Sequence, residues 1–539
     1  MENIRGQSDL FLLAVSDRRM PARRAGKLGA VSLTALCGAL AAGPGWATCT
    51  QSGSLGRTCS GQIGATDFTL TDTTSDQTAK LTFENATNGG ATGPSSGSTA
   101  AWNFSVGAPE YSQAPAAAQL NVNLSDGFSV SSSVAQGILV TATGSKGKTH
   151  DEDKGTGDKH ADDGGAGGTG GVVTATVSGV DVSGLKGGAA IVSAGGDGGY
   201  GAEGYSTGFG DGHGGDGGAG GSGGAVSATF TDVKASGLPA ISAVSLGGNA
   251  NEGGEGKSFD YTGHGGVGGV GGAGGSVALS LNSVSADTAV VALSQGGGGG
   301  HGGEGKDNGN GNGKGGAGGV GGAGGTVEIT NATGGSPTGL QIDTTKSPGL
   351  LADSIAGDGG HGGDGDVALG LGNSTGGDGG QGGTAGSVTV SIAQPGTGGV
   401  SITTDGTRAP GLFARSYGGA GGKGGTADSS SATGGAGAGS GPSGSVTVDY
   451  AGDIHTQGAG SDGIMAQAVG GFSGDGGSAS GIVAYGASVE SAGDGGAVSV
   501  TYSGTEDPSI QTDADDSDAI YAQSQGGGGG QNQRGAVAG

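Results

Sequence analysis

Four histidines raise the first chemical question. His213, His264, His301 and His361 each begin a His-Gly-Gly-x-Gly run, with Asp216, Val267, Glu304 and Asp364 at its fourth position. Imidazole nitrogens near carboxylates are a transition-metal donor set; the simpler alternative is a polar side chain on the solvent edge of a glycine segment. Zinc holds its ligands at about 2.0–2.2 Å. Were each repeat two stacked layers deep, equivalent atoms of neighbouring repeats would stand about 10 Å apart. Histidines of adjacent repeats could not then share an ion, so no metal ligand and no cofactor is assigned. Gly362-Gly363-Asp364-Gly365-Asp366-Val367 echoes a calcium nonapeptide, but its Asp and apolar positions are off register and nothing repeats at nine.

Nucleophilic chemistry finds no better support. The serine elbow G-x-S-x-G occurs at 93–97, 204–208 and 220–224, about as often as so much glycine generates unaided. Gly256-Lys257-Ser258 and Gly147-Lys148-Thr149 would complete a phosphate loop only with Gly in place of Asn251 or Ala142. No catalytic or cofactor-binding residue is assigned and the chain is expected not to be an enzyme. A hydrolase carried as a passenger is the least favoured alternative: only 48–117 is long and glycine-poor enough to hold one, and it contains no His.

The elements that must carry these side chains are constrained by composition. Of 539 residues 140 are Gly and only 12 are Pro. Gly inside a helix or strand costs roughly 0.5–1 kcal/mol relative to Ala, which excludes a helix bundle or a conventional α/β core; scarce proline excludes collagen. A net charge of −26 repels phosphate backbones, so no nucleic-acid partner is expected.

The N-terminus reads as an extended export signal over 1–47. Arg18 to Lys27 is cationic, Leu28–Ala42 is apolar but shorter than the roughly 20 residues of a membrane span, and Gly45-Trp46-Ala47 offers a cleavage site. Cys49 and Cys59 are then the two cysteines of the mature chain, expected to close a disulfide in an oxidising compartment; metal binding by the two thiols is the weaker alternative. Residues 48–117, with few glycine tracts and with strand-like Phe68-Thr69-Leu70 and Trp102-Asn103-Phe104-Ser105-Val106, are expected to be an N-terminal cap segment.

From 118 to 530 the chain repeats. Eight units open on a β-branched run whose first strong apolar residues are Leu120, Val173, Val226, Val277, Val327, Val388, Val446 and Val498. Each ends on a small-residue apolar strand, clearest in Leu412-Phe413-Ala414-Arg415-Ser416-Tyr417 and Ile520-Tyr521-Ala522-Gln523-Ser524-Gln525, and then runs into glycine. Alternation at period two predicts strands. The pattern predicts an all-β parallel β-solenoid of eight repeats, each two layers or one layer plus a loop, with Val446, Val448, Ile464, Ala466 and Ala468 facing inward. Exact triplets such as 265–276 have the three-residue period of a polyproline-II helix, which predicts partly ordered glycine loops leaving one edge. The charged run 146–163 is expected to be a solvated loop.

The closing strand and glycine tail, Ile520 through Gly530 and Leu412 through Gly419, resemble the glycine-rich repeat of autotransporter passenger domains of Gram-negative bacteria (type V secretion), and the long cationic leader fits that family. The resemblance implies a secreted or surface-displayed β-helical passenger, structural or adhesive, that binds through an extended repetitive face. It implies export through the periplasm and outer membrane by a β-barrel absent from this chain, and an extracellular surface or matrix ligand. Residues 531–539 are expected to be a truncated tail without a C-terminal barrel. The alternative is a cation- or ice-binding repeat protein, which ordered loops with flat, regularly spaced edges would favour.

Overall fold

Where apolar and polar residues alternate at the start of each repeat, the chain forms strands whose apolar side chains are buried. In Val226–Ser236, Val226, Ala228, Phe230, Val233 and Ala235 are buried, while Ser227, Asp232 and Lys234 are exposed. The structure is a computed structural model describing residues 136–333, 336–337, 339–394, 399–503, 509–533 and 535–537, with the backbone of eight strands between Thr48 and Ser132. The export signal expected over 1–47 lies outside the described residues. Described residues contain strands and no helix, so none is long and apolar enough to cross a membrane.

The protein is all-β, and its large sheets run parallel. Opening strands of successive repeats pair in one 18-stranded sheet, and closing strands in a 10-stranded one. Leu120, Val173, Val226, Val277, Val327, Val388, Val446 and Val498 are register partners in turn. Each repeat is therefore a single layer, which corrects the two-layer possibility; the glycine tracts account for the extra length. In three successive repeats the opening segment bends once through a left-handed residue: Gly179 at φ 61°, Asp232 and Ser283 at 53°. Between the opening and closing sheets lies the core, and Val446, Val448, Ile464, Ala466 and Ala468 are fully buried in it.

Two parallel sheets went unforeseen, because their strands are two or three residues long and carry no apolar period. They contain eight and seven strands and close the outer tips of the glycine segments. The run 146–163 contributes Asp153–Gly155 and Lys159–His160 to them. That corrects its reading as a solvated loop: parallel pairing with Gly204–Ser206 and Gly212–His213 in the next repeat orders it. Strands before 118 join the opening and closing sheets instead: Thr66–Thr71 pairs with Trp102–Gly107, and that strand with Ile138–Thr143, in the 10-stranded sheet. Cys49 and Cys59 are register partners in an antiparallel pair.

Candidate functional site: the glycine blade and its side-chain columns

After each closing strand the chain runs outward through glycine, turns at the tip, and runs back to the next opening strand. Backbone hydrogen bonds in these tracts recur at every third residue, which is the polyproline-II period. In the outward tract after Ile241–Leu246, the N–H groups of Gly247, Ala250 and Gly253 donate to Gln295, Gly298 and His301 of the next repeat. Those of Gly248, Asn251 and Gly254 donate to Gly221, Gly218 and Gly215 of the preceding return tract. Return tracts do likewise: Gly268 and Gly271 donate to Ala317 and Val320 one repeat on, Gly266 and Gly269 to Gly254 and Asn251. One chain of such bonds, each 2.7–2.9 Å, passes through Gly215, Gly254, Gly266, Gly303, Gly316, Gly363, Gly377, Gly425, Gly435 and Gly477. The expected partly ordered loops are thus a two-layered blade. A Cβ on Gly254 would drive into the Ala202 carbonyl, so the close approach of these backbones requires glycine.

The third residue of each triplet points its side chain out of the blade. Where the residue one repeat below is Asp, Asn or His, its side chain accepts this residue's own N–H. Asp197 Oδ1 accepts from Asn249 N–H at 3.0 Å, Asn249 Oδ1 from Gly298 N–H at 2.9 Å, and Asp358 Oδ1 from Ala420 N–H at 2.8 Å. Asp216 Oδ1 accepts from Val267 N–H on the return face at 2.7 Å. Exposed acidic and amide residues are therefore structural acceptors as well as surface charge.

At the blade's root a serine column joins it to the core. Ser193, Ser245, Ser294, Ser354 and Ser416 each donate Oγ–H to a glycine carbonyl at the end of the return tract that precedes their own opening strand, at 2.7–2.8 Å. Each also accepts a glycine N–H from the end of the return tract that follows its closing strand, at 2.8–2.9 Å. This gives the serine of the closing-strand motif a physical role.

The histidines fall on two faces. His301 and His361 follow one another on the outward face, ring centroids 4.7 Å apart. His301 Nδ1 accepts the His361 N–H at 2.8 Å and His361 Nδ1 the Lys423 N–H at 2.9 Å, the same task that Asp and Asn perform elsewhere. His160, His213 and His264 form a column on the return face, centroids 4.2 and 4.4 Å apart and rings within 10° of parallel. The expected separation of about 10 Å is thus corrected to a single layer, about 4.8 Å. Burial and then the neighbouring histidine hold His213 and His264 below the ordinary imidazole value. His160 was missed by sequence reading because Lys159-His160-Ala161 lacks the His-Gly-Gly signature; its register with His213 reveals it. Of the elbow serines, Ser206 is buried, and among the described residues its hydroxyl has no hydrogen-bond partner.

Charge and apolarity also sort into columns. Lys257 bridges Glu203 at 2.6 Å and Glu255 at 2.7 Å, and Lys306 reaches Glu255 at 3.3 Å. The return face exposes Val267, Val270 and Val320 at triplet positions of adjacent layers. No protein-family model, curated protein or solved structure matches the chain.

Proposed function

We propose that the chain is an exported, surface-displayed structural or adhesive passenger of the autotransporter kind, a parallel β-solenoid that carries a rigid glycine blade. The observation that supports this reading best is the blade's two-direction hydrogen-bond lattice. It fixes side chains about 4.8 Å apart along the stack and about 9 Å apart along each tract. Such a face binds through many weak contacts in register, and avidity rather than a deep pocket supplies the affinity. The acidic columns suit a neutral or cationic extracellular surface. Export would proceed through the periplasm and an outer-membrane β-barrel supplied outside these residues.

The experiment expresses the full gene in a Gram-negative host and asks two things. N-terminal sequencing should show cleavage after Ala47, and protease added to intact cells should degrade the protein. An uncleaved chain protected inside the cell would overturn the reading. The flat apolar array of Val267, Val270 and Val320 favours a second reading, an ice-binding face. Thermal hysteresis in the purified protein, abolished by Val267→Lys with Val320→Lys, would establish it.

A further inference from the structure

All seven histidines lie among the described residues, and four have ring-nitrogen partners. His150 Nδ1 lies 3.2 Å from Asp162, and His455 Nε2 lies 2.7 Å from Asp513. His301 and His361 accept backbone N–H groups. Among the described residues the other three, His160, His213 and His264, have no ring-nitrogen hydrogen bond or ion pair, and they stand together in one column. Asp211, two residues before His213, faces the upper pair. Its Oδ1 accepts the Thr262 N–H at 2.8 Å, which fixes the carboxylate. One ligand atom from each of Asp211, His213 and His264 lies within 4.8 Å of the other two.

We propose that Asp211, His213 and His264 form a binding site for a divalent transition-metal ion of the zinc type, on the return face near the blade tip. Two imidazoles and one carboxylate form the N,N,O set that zinc favours, with a fourth tetrahedral position left for water. Zinc needs bonds of about 2.0–2.2 Å, so rotation of the two half-buried rings must draw the nitrogens inward. Neutral imidazole is the ligating form. Lys314 follows His264 in the column. The parallel stack places the two histidines one layer apart, and tip pairing in the same register brings Asp211 beside them. The site goes beyond the surface-display reading and does not depend on it.

The test uses the full-length protein stripped with EDTA and titrated with Zn²⁺ against a chromophoric chelator, with Co²⁺ as a spectroscopic probe. The expected result is one Zn²⁺ per chain and a tetrahedral Co²⁺ visible spectrum. His213→Ala and His264→Ala should each weaken Zn²⁺ binding at least about tenfold. Asp211→Asn, which retains the oxygen facing Thr262, should weaken it comparably, whereas His301→Ala with His361→Ala should leave it unchanged. His213→Gln, checked by circular dichroism, replaces His213→Ala if the latter fails to fold. The proposal is overturned by a wild-type protein that takes up no stoichiometric Zn²⁺, by a folded double variant of His213 and His264 that binds as wild type does, or by equal loss in the His301/His361 variant.

Discussion

At the scale of single residues, the side chains that look chemical mostly complete a backbone. His361 accepts the Lys423 N–H, and burial, then His301, hold it below the ordinary value of 6.5. The unfolded chain therefore takes up the proton more readily. This contribution to stability is complete above about pH 6.5 and is lost as the pH falls through the depressed folded value. Urea midpoints should drop between pH 7.5 and 5.5, and His361→Asn, which keeps an acceptor as Asn249 does, should shrink the drop. An unchanged pH dependence in that variant would refute the role. Ser294 is fully buried between the Gly275 carbonyl and the Gly325 N–H. Ser294→Ala leaves both unsatisfied and should cost about 1–3 kcal/mol in chemical denaturation.

At the scale of elements, glycine acts as a spacer of zero width. Gly→Ala commonly stabilises by about 0.4–1 kcal/mol where the backbone tolerates it. Gly399 has open space around its Cβ position, so Gly399→Ala should be neutral or slightly stabilising. Gly254→Ala should be destabilising, because its Cβ would enter the Ala202 carbonyl and push neighbouring tracts away from each other. A thermal melt of both variants distinguishes the cases, and equal behaviour would refute a close-packed blade. The closing strands depend on a different bond. Arg415 holds Asp353 one repeat away through Nη2 at 2.6 Å and Nε at 3.2 Å, both residues buried. Removing the arginine alone strands a buried charge and should cost about 3–5 kcal/mol. Asp353→Leu with Arg415→Met should recover most of that loss, since neighbouring Leu293 already packs there.

At the scale of the whole molecule, stability is built from layer-to-layer contacts repeated along one axis, so loss of order should propagate to adjacent layers. Amide hydrogen exchange followed by mass spectrometry should find glycine N–H groups of the blade protected nearly as well as those of the opening strands. Exchange at free-chain rates would contradict the lattice. Strands, their register and their inward residues were legible in the chain alone, because alternation at period two and the repeat spacing are local signals: Val446 and Ile464 could be placed from their sequence neighbours. The triplet period likewise announced polyproline-II geometry at 265–276. What covers those triplets was settled by folding, since Gly266 meets Gly254 in its own repeat and Gly303 in the next, pairings that no local pattern encodes. The depth of a repeat was fixed the same way. Once the glycine tracts fold back within one layer, His213 and His264 become stacked neighbours instead of residues 51 apart in the chain.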